Sequence, residues 1–348
     1  KSVLQEVGWR DDEFDWQWSA AASETEARAA LAHDALQAWD LESGAGVLRV
    51  RGAQQIDEDD NGKKETAVVV MWMHHIVGDE WSMKVLREDC MNQDGNRLQA
   101  AAAAPTAQMW EFAEWEWELL QREGEAMSAW WKQHLRGCRA LSLAGVADKR
   151  LDGRAMSASV KVAAAVVERM SRAAQAAGVS LFAVWQGVFA AWARRNMDQS
   201  EEESASNDDV LVVGPYGRRD MAQFQRTVGY LLNMVVYRYK SNVFGTDLVS
   251  LARESGRVIA ETIERGGNYP FSRLVREAGV ENADRLMDVM FNWVTGQNIG
   301  FVGESRRDSK NPFTLNSDGA TMAVQSTMFE SMTELHNVLS EVTRAASH

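Results

Sequence analysis

Residues Met73 to Ser82 read Met-His-His-Ile-Val-Gly-Asp-Glu-Trp-Ser, which sets two adjacent imidazoles, His74 and His75, four residues ahead of Asp79. Histidine titrates near neutrality, so it can accept and return a proton at ordinary pH. An apolar run from Ala67 to Met73 delivers the pair to the end of a buried strand, where a rigid scaffold can hold a site. Adjacent side chains on an extended strand point to opposite faces, so one ring is expected to face a cleft and the other the core. Asp79 follows where the strand turns into a helix suggested by Ser82, Val85, Leu86 and Asp89. Its carboxylate can anchor the turn, orient a ring or bind a metal.

Metal binding is the weakest of these readings. Zinc sites on a helix place ligands a turn apart, and adjacent histidines on a strand do not. The two cysteines, Cys90 and Cys138, and the other histidines, His33, His134, His336 and His348, add no ligand spacing. No metal is expected. A histidine pair packed for structure and satisfied by backbone groups is the other reading of the same residues.

The elements that must position these groups alternate along the chain. Ser23-Glu24-Thr25-Glu26 is a capping box opening a helix through Ala38. Strands are expected near Val47 to Arg51 and Ala67 to Met73, separated by a polar turn from Asp57 to Lys64. Helices follow at Met83 to Met91, Ala107 to Arg122 and Ala126 to Arg136. Cys138 to Gly153 reads as a linker and the lobe boundary. Beyond it come a strand at Ser157 to Val162, helices at Ala164 to Ala177 and Leu181 to Asn196, and a strand at Val210 to Gly214. The acidic tract Asp198 to Asp209 reads as a solvated loop. A strand at Leu231 to Tyr239, a helix at Thr246 to Glu264 and a strand at Met287 to Trp293 complete an α/β pattern without internal repeats.

Composition narrows the class. A chain of 348 residues with 45% hydrophobic content can bury a large core and should form two lobes. Lys1 to Trp18 carries no signal-peptide pattern, no apolar stretch is long enough to cross a bilayer, and two distant cysteines suit a reducing compartment. A cytoplasmic protein without a membrane partner is expected. The net charge of −13 argues against nucleic acid, whose phosphates it would repel. The fourteen tryptophans, Trp110, Trp115, Trp117, Trp130 and Trp131 among them, read as core packing rather than a stacking platform.

His-His-x-x-x-Asp followed by Gly is the signature of the condensation domains of nonribosomal peptide synthetases and their acyltransferase relatives, and the segment at His74 resembles it, with Glu80 in place of the glycine. The resemblance extends along most of the chain. Trp39 to Gly44 with Val47 to Arg51 precedes the histidines as in that family; Met109 to Trp115 and Trp130 to Gly137 resemble its following helix motifs. Val228-Gly229-Tyr230-Leu231-Leu232-Asn233-Met234 through Arg238, Asn268-Tyr269-Pro270-Phe271 and Leu286 to Phe291 are similar to its later signatures. The family's first two signatures are not found, and Asn311 to His348 fits poorly, so the opening strand and helix are expected to be absent and the closing ones lost or divergent.

What the resemblance implies is specific. The fold would be two chloramphenicol-acetyltransferase-like lobes in a V-shaped pseudo-dimer, with the N-terminal lobe, residues 1–140, truncated and the C-terminal lobe at residues 141–348. A tunnel between lobes would admit a donor carrier domain on one side and an acceptor carrier domain on the other, beside an adjacent adenylation domain. His75 would be the catalytic residue of amide formation, and His74 would hydrogen-bond into the core. Asp79 would pair with Arg218 of Gly217-Arg218, while Gly78 and Glu80 would shape the loop and Asn233, Trp81 and Ser82 would be candidates for the tunnel wall. No cofactor would bind directly; 4′-phosphopantetheine would arrive on the carrier domains. A catalytically silent condensation-like domain that docks carriers or recruits a tailoring enzyme, and an ester-forming acyltransferase, stay open; an epimerisation domain lacks its further glycine-rich signatures.

Overall fold

The computed structural model describes residues 15–20, 26, 39–41, 47–59, 62–91, 107–143, 156–197, 209–294, 313–316 and 321–326. The helix expected from Ser23 to Ala38 lies outside the described residues apart from Glu26, as do 144–153 of the expected linker. The chain divides into two compact units, Lys1–Met109 with Ala222–Leu231, and Trp110–Met221 with Leu232–His348.

The first unit is built on a three-stranded sheet in the order β1-β2-β3. Strand β1 (Asp15–Ala20) runs parallel to β2 (Leu48–Asp59), which pairs antiparallel with β3 (Gly62–Met73). No strand was expected at Asp15–Ala20; the alternation Trp16, Trp18 with Gln17, Ser19 is its sequence signal. Both strands expected around the histidine segment exist and run longer, since the ladder continues to Asp59 opposite Gly62. The polar turn expected over Asp57 to Lys64 shrinks accordingly, because ladder bonds are made by backbone groups whatever the side chain. Flanked by strands on both edges, the centre of β2 from Val50 to Ala53 is buried. Strand β3 delivers its last residue, Met73, directly to the histidines, and α1 (Glu80–Met91) follows.

The second unit holds most of the core. Helix α2 (Met109–His134) is continuous, where a break near Gly124 was expected. Phe112, Leu119, Gly124, Met127 and Trp131 are buried along it, and burying that side outweighs the roughly 1 kcal/mol that a mid-helix glycine costs. Leu119, Met127, Trp131 and Leu135 share a cluster with Leu211, Val236, Tyr269 and Leu274. This packing explains why the helix belongs to the second unit, whereas a division between residues 140 and 141 assigns it to the first.

Strand β4 (Met156–Lys161), helices α3 (Ala164–Ala177) and α4 (Leu181–Arg195), and the antiparallel pair β5 (Val210–Tyr216) and β6 (Asn233–Tyr239) fall close to their expected places. Helix α5 (Leu248–Gly266) opens on Asp247, whose side chain accepts from the N–H groups of Val249 and Ser250. Gly187 of α4 lets α5 approach; a Cβ there would lie 3.2 Å from the Ser255 Cβ and 3.3 Å from the Leu251 Cγ. After the short α6 (Phe271–Glu277) come β7 (Phe291–Val294), β8 (Phe313–Asn316) and β9 (Thr321–Ser326), which join β4 in a mixed sheet ordered β4-β9-β8-β7. The poorly fitting C-terminal segment thus contributes two strands. The fold is α/β as expected, and no single helix among the described residues is long and apolar enough to cross a membrane.

Asp209, expected in a solvated acidic loop, is instead 5% exposed; it accepts from Arg238 Nε at 2.6 Å and from the Ser241 N–H at 2.9 Å. Residues 198–208 lie outside the described residues. Arg238 also donates to the carbonyl oxygen of His134, whose ring stacks on Trp130 with centroids 4.3 Å apart. The His134 Nε2 has no hydrogen-bond partner among the described residues. Burial, and then the Arg238 guanidinium, push the His134 pKa down to about 4 from its ordinary 6.5. The unfolded chain therefore takes up a proton near pH 6.5 that the folded chain refuses until about pH 4, and stability falls as pH drops through that window. Urea unfolding followed across it should show this loss, and His134→Phe should flatten that part of the curve.

Candidate active site

The site residues of the first unit lie on one short loop and the start of one helix. The ladder ends as the His74 N–H donates to the Val47 carbonyl at 2.9 Å, and the Val77 N–H then closes a turn on the His74 carbonyl at 3.1 Å. The strand does not continue through the histidines, so their division of labour comes from loop hydrogen bonds rather than from strand alternation. His74 is half-buried, and its Nδ1 accepts from the Ile76 N–H at 3.0 Å. His75 is exposed, and its Nδ1 sits 2.7 Å from the Gly78 carbonyl oxygen, an atom that only accepts. In the neutral rings these bonds dictate opposite tautomers. His74 carries its proton on Nε2; His75 carries it on Nδ1 and keeps a lone pair on Nε2.

Two aromatic contacts hold the rings. The His74 ring meets Trp39 edge-on at 5.9 Å, and Arg49 lies 4.0 Å over that same indole. The His75 ring meets Tyr230 at 5.3 Å and 82°. A contact of this kind contributes about 0.5–1.5 kcal/mol, similar to one solvent-accessible hydrogen bond. Gly78 permits the tight loop: a Cβ there would lie 2.0 Å from the Met73 Cε.

Asp79 and Ser82 form the frame beneath. The Asp79 carbonyl accepts the first helical bond from Met83, and its Oδ1 accepts from the Ser82 N–H at 2.8 Å, which makes Asp79 the cap of α1. The expected helix start near Ser82 is therefore three residues late. Ser82 sits at the third helical position and completes the exchange, its hydroxyl accepting from the Asp79 N–H at 3.3 Å. This is a capping box with serine where Glu or Gln is usual.

The same hydroxyl also accepts from the Gly229 N–H at 3.0 Å, and its single proton serves the Asp79 Oδ1 at 2.8 Å and the Gly229 carbonyl at 2.9 Å. Asp79 Oδ2 accepts from the Leu231 N–H at 3.2 Å. Trp81 donates to the Gln225 carbonyl at 2.7 Å, and Arg226 pairs with Glu88 and Asp89. Segment Ala222–Leu231 is thereby laced along α1, with Tyr230 held between two anchored neighbours. Neither the role of Ser82 nor that of Tyr230 follows from the motif. The Asp-x-x-Ser spacing is the available signal for the first; nothing local announces the second, because Tyr230 stands 155 residues beyond His75.

Glu80 is the first residue of α1 and half-buried. Arg218 and Asn282 are the non-glycine residues with positive φ among those described, so glutamate fits the position without left-handed strain. Desolvation by burial, then the neighbouring Asp79, raise its pKa. Its backbone N–H and that of Trp81 have no acceptor within the helix.

The remaining candidates belong to the second unit. Arg218 is buried, has φ 49° and donates to Glu116 Oε1, with its guanidinium 4.7 Å over the Phe112 ring. Asn233 donates to the carbonyls of Gly267 and Tyr269, each at 2.8 Å, and accepts from the Phe271 N–H at 3.2 Å. It fastens the start of β6 to the turn before α6.

A family model for the condensation domain matches residues 11–336. The chain belongs to the condensation-domain family. It is 26% identical over 275 residues to a linear gramicidin synthase protein of Brevibacillus parabrevis, covering 75% of this chain and 5% of that protein. It is 25% identical over 217 residues to the beauvericin nonribosomal cyclodepsipeptide synthetase of Beauveria bassiana, covering 60% of this chain and 6% of that one. The chain thus spans only about a twentieth of the length of the curated relatives it matches. Among solved structures it resembles the condensation domain of the monacolin K polyketide synthase MokA with a TM-score of 0.70 at 16% identity, covering 96% of this chain and 79% of that one. It also resembles the condensation enzyme VibH, with a TM-score of 0.69 at 15% identity over 96% and 78% of the two chains. The X-domain from teicoplanin biosynthesis gives 0.70 at 17% over 95% and 78%. The fold is the chloramphenicol-acetyltransferase-like one of these domains.

Removing the Ser82 hydroxyl takes one acceptor from the buried Gly229 N–H and removes the reciprocal half of the capping box, while the bond from the backbone N–H of residue 82 to Asp79 Oδ1 stays. Ser82→Ala should destabilise the first unit by about 1–3 kcal/mol. Hydrogen exchange at the Gly229 and Leu231 amides should accelerate in the variant, and unchanged protection there would contradict the assignment.

Proposed function

We propose that this condensation domain forms an amide bond between a carrier-bound acyl or peptidyl thioester and the amine of a carrier-bound aminoacyl acceptor. The observation that carries the reading is the His75 tautomer: Nδ1 is committed to the Gly78 carbonyl, which leaves the exposed Nε2 free to take a proton. As the acceptor nitrogen attacks the thioester carbonyl, a C–N bond forms and His75 Nε2 takes the proton from that nitrogen. Collapse of the tetrahedral adduct breaks the C–S bond and expels the phosphopantetheine thiolate, which receives the proton back from His75. His74 cannot substitute, because its Nδ1 already accepts from the backbone. Asp79, Ser82 and Gly78 hold the loop, and Arg218 serves structure.

A thioester is already activated, so positioning two tethered substrates supplies much of the rate. The base adds roughly 10²- to 10⁴-fold. The partners are a donor and an acceptor carrier domain, each bearing 4′-phosphopantetheine as substrate, in a synthetase that also holds an adenylation domain. Membership in a family whose relatives here are multi-domain synthetases supports this.

Glu80 favours a second reading, a silent domain that docks carriers or recruits a tailoring enzyme, since one matched structure is of a teicoplanin X-domain in complex with OxyB. A carboxylate beside a forming oxyanion opposes the stabilisation that backbone N–H donors at the start of α1 provide. The raised pKa moderates this without removing it. Ester formation is tested in the same assay by offering an alcohol acceptor.

In a carrier-loaded condensation assay, His75→Ala should reduce amide formation by about 10²- to 10⁴-fold while leaving the melting temperature in place. Wild-type protein without turnover would move the assignment to the silent reading. Glu80→Gly should raise the rate, and the gain should shrink at acid pH, where the glutamate is already protonated; equal rates at every pH would refute the inhibitory role of Glu80.

A further inference from the structure

Among the described residues, the hydrogen bond that keeps the exposed His75 ring in place is the contact from Nδ1 to the Gly78 carbonyl, and water competes for that bond. A second constraint comes from Tyr230, whose ring stands across the imidazole at 5.3 Å and 82°. Tyr230 is itself 38% exposed, so its ring is not fixed by burial. Its backbone is fixed: on one side Gly229 gives both its N–H and its carbonyl to the Ser82 hydroxyl, and on the other the Leu231 N–H is held by Asp79 Oδ2. Ser82 and Asp79 are the very residues that cap α1 and end the histidine loop. The loop that carries the imidazole and the segment that carries the phenol therefore share one buried anchor, which fixes the two backbones relative to each other.

We infer that Tyr230 is a positioning residue that holds the His75 imidazole in the orientation keeping Nδ1 on the Gly78 carbonyl and Nε2 directed outward. The inference deepens the proposed function and rests on it for its catalytic consequence, though not for the structural one. The ring contact and the hydrogen bond are comparable in strength, so loss of either lets the imidazole turn about its side-chain torsions. A turned ring loses the bond that selects the Nδ1–H tautomer, and a mixed population presents Nε2 as an acceptor for only part of the time. The contact is made by the aromatic ring.

The test is nitrogen-15 spectroscopy of the histidines in the full chain, which reads tautomer directly, beside single-turnover transfer between loaded carriers. Wild type should show His75 in the Nδ1–H form. Tyr230→Leu should mix the tautomers and lower kcat several-fold with KM unchanged, and Tyr230→Phe should restore the wild-type tautomer. Tyr230→Gln, with a polar side chain at this exposed position, serves if the leucine variant folds poorly, and should mix the tautomers as well. Wild-type tautomer signals in both ring-less variants would overturn the inference. Should His75→Gln transfer as fast as wild type while the His75 signal still depends on Tyr230, the proposed chemistry fails and the positioning role stands.

Discussion

A single buried hydroxyl governs the geometry of the first unit's site. Ser82 Oγ contacts the backbone N–H and side chain of Asp79 and both backbone groups of Gly229, so it terminates the loop from β3, starts α1 and pins a segment that arrives from residues 222–231. Ser82 is 0% exposed, so water cannot take over any of these bonds. Each group left unmet in such a place costs about 1–3 kcal/mol, more than the net worth of an ordinary hydrogen bond. The arrangement is therefore all or nothing.

From that anchor the chemistry of the two imidazoles follows. Both are neutral-capable groups on consecutive residues, and burial alone would separate them only as half-buried and exposed. The backbone does more: an N–H donor reaches one Nδ1 and a carbonyl reaches the other, so one ring is turned into a donor and its neighbour into an acceptor. The Asp79 carboxylate is engaged elsewhere, one oxygen by the cap of α1 and the other by the Leu231 N–H. It caps α1 and holds the segment that carries Tyr230.

In the second unit, ordinary close packing dominates. Asn233 spends its amide on three backbone partners, and Asp209 and Arg238 neutralise each other beside the end of α2. Arg218 stands apart, since a buried arginine with positive φ carries about 1–3 kcal/mol of backbone strain, offset by the Glu116 carboxylate and the Phe112 ring.

Family and fold class were legible in the sequence, because motif order and hydrophobic periodicity are local and additive along the chain. Helix α3 lies where its spacing puts it, and strands β2 and β3 are found there though drawn too short. The continuity of α2 through Gly124 and the burial of Asp209 depend on what another part of the chain supplies, a core face or an arginine. The start of α1 after Asp79 is local, carried by its Asp-x-x-Ser spacing. Tyr230 is the clearest case of dependence on a distant segment: residue types and spacing can nominate His75 as a base, but the ring that meets its imidazole arrives only when residues 229–231 fold back onto a buried hydroxyl, since a contact is a property of atoms in space and not of their order in a chain.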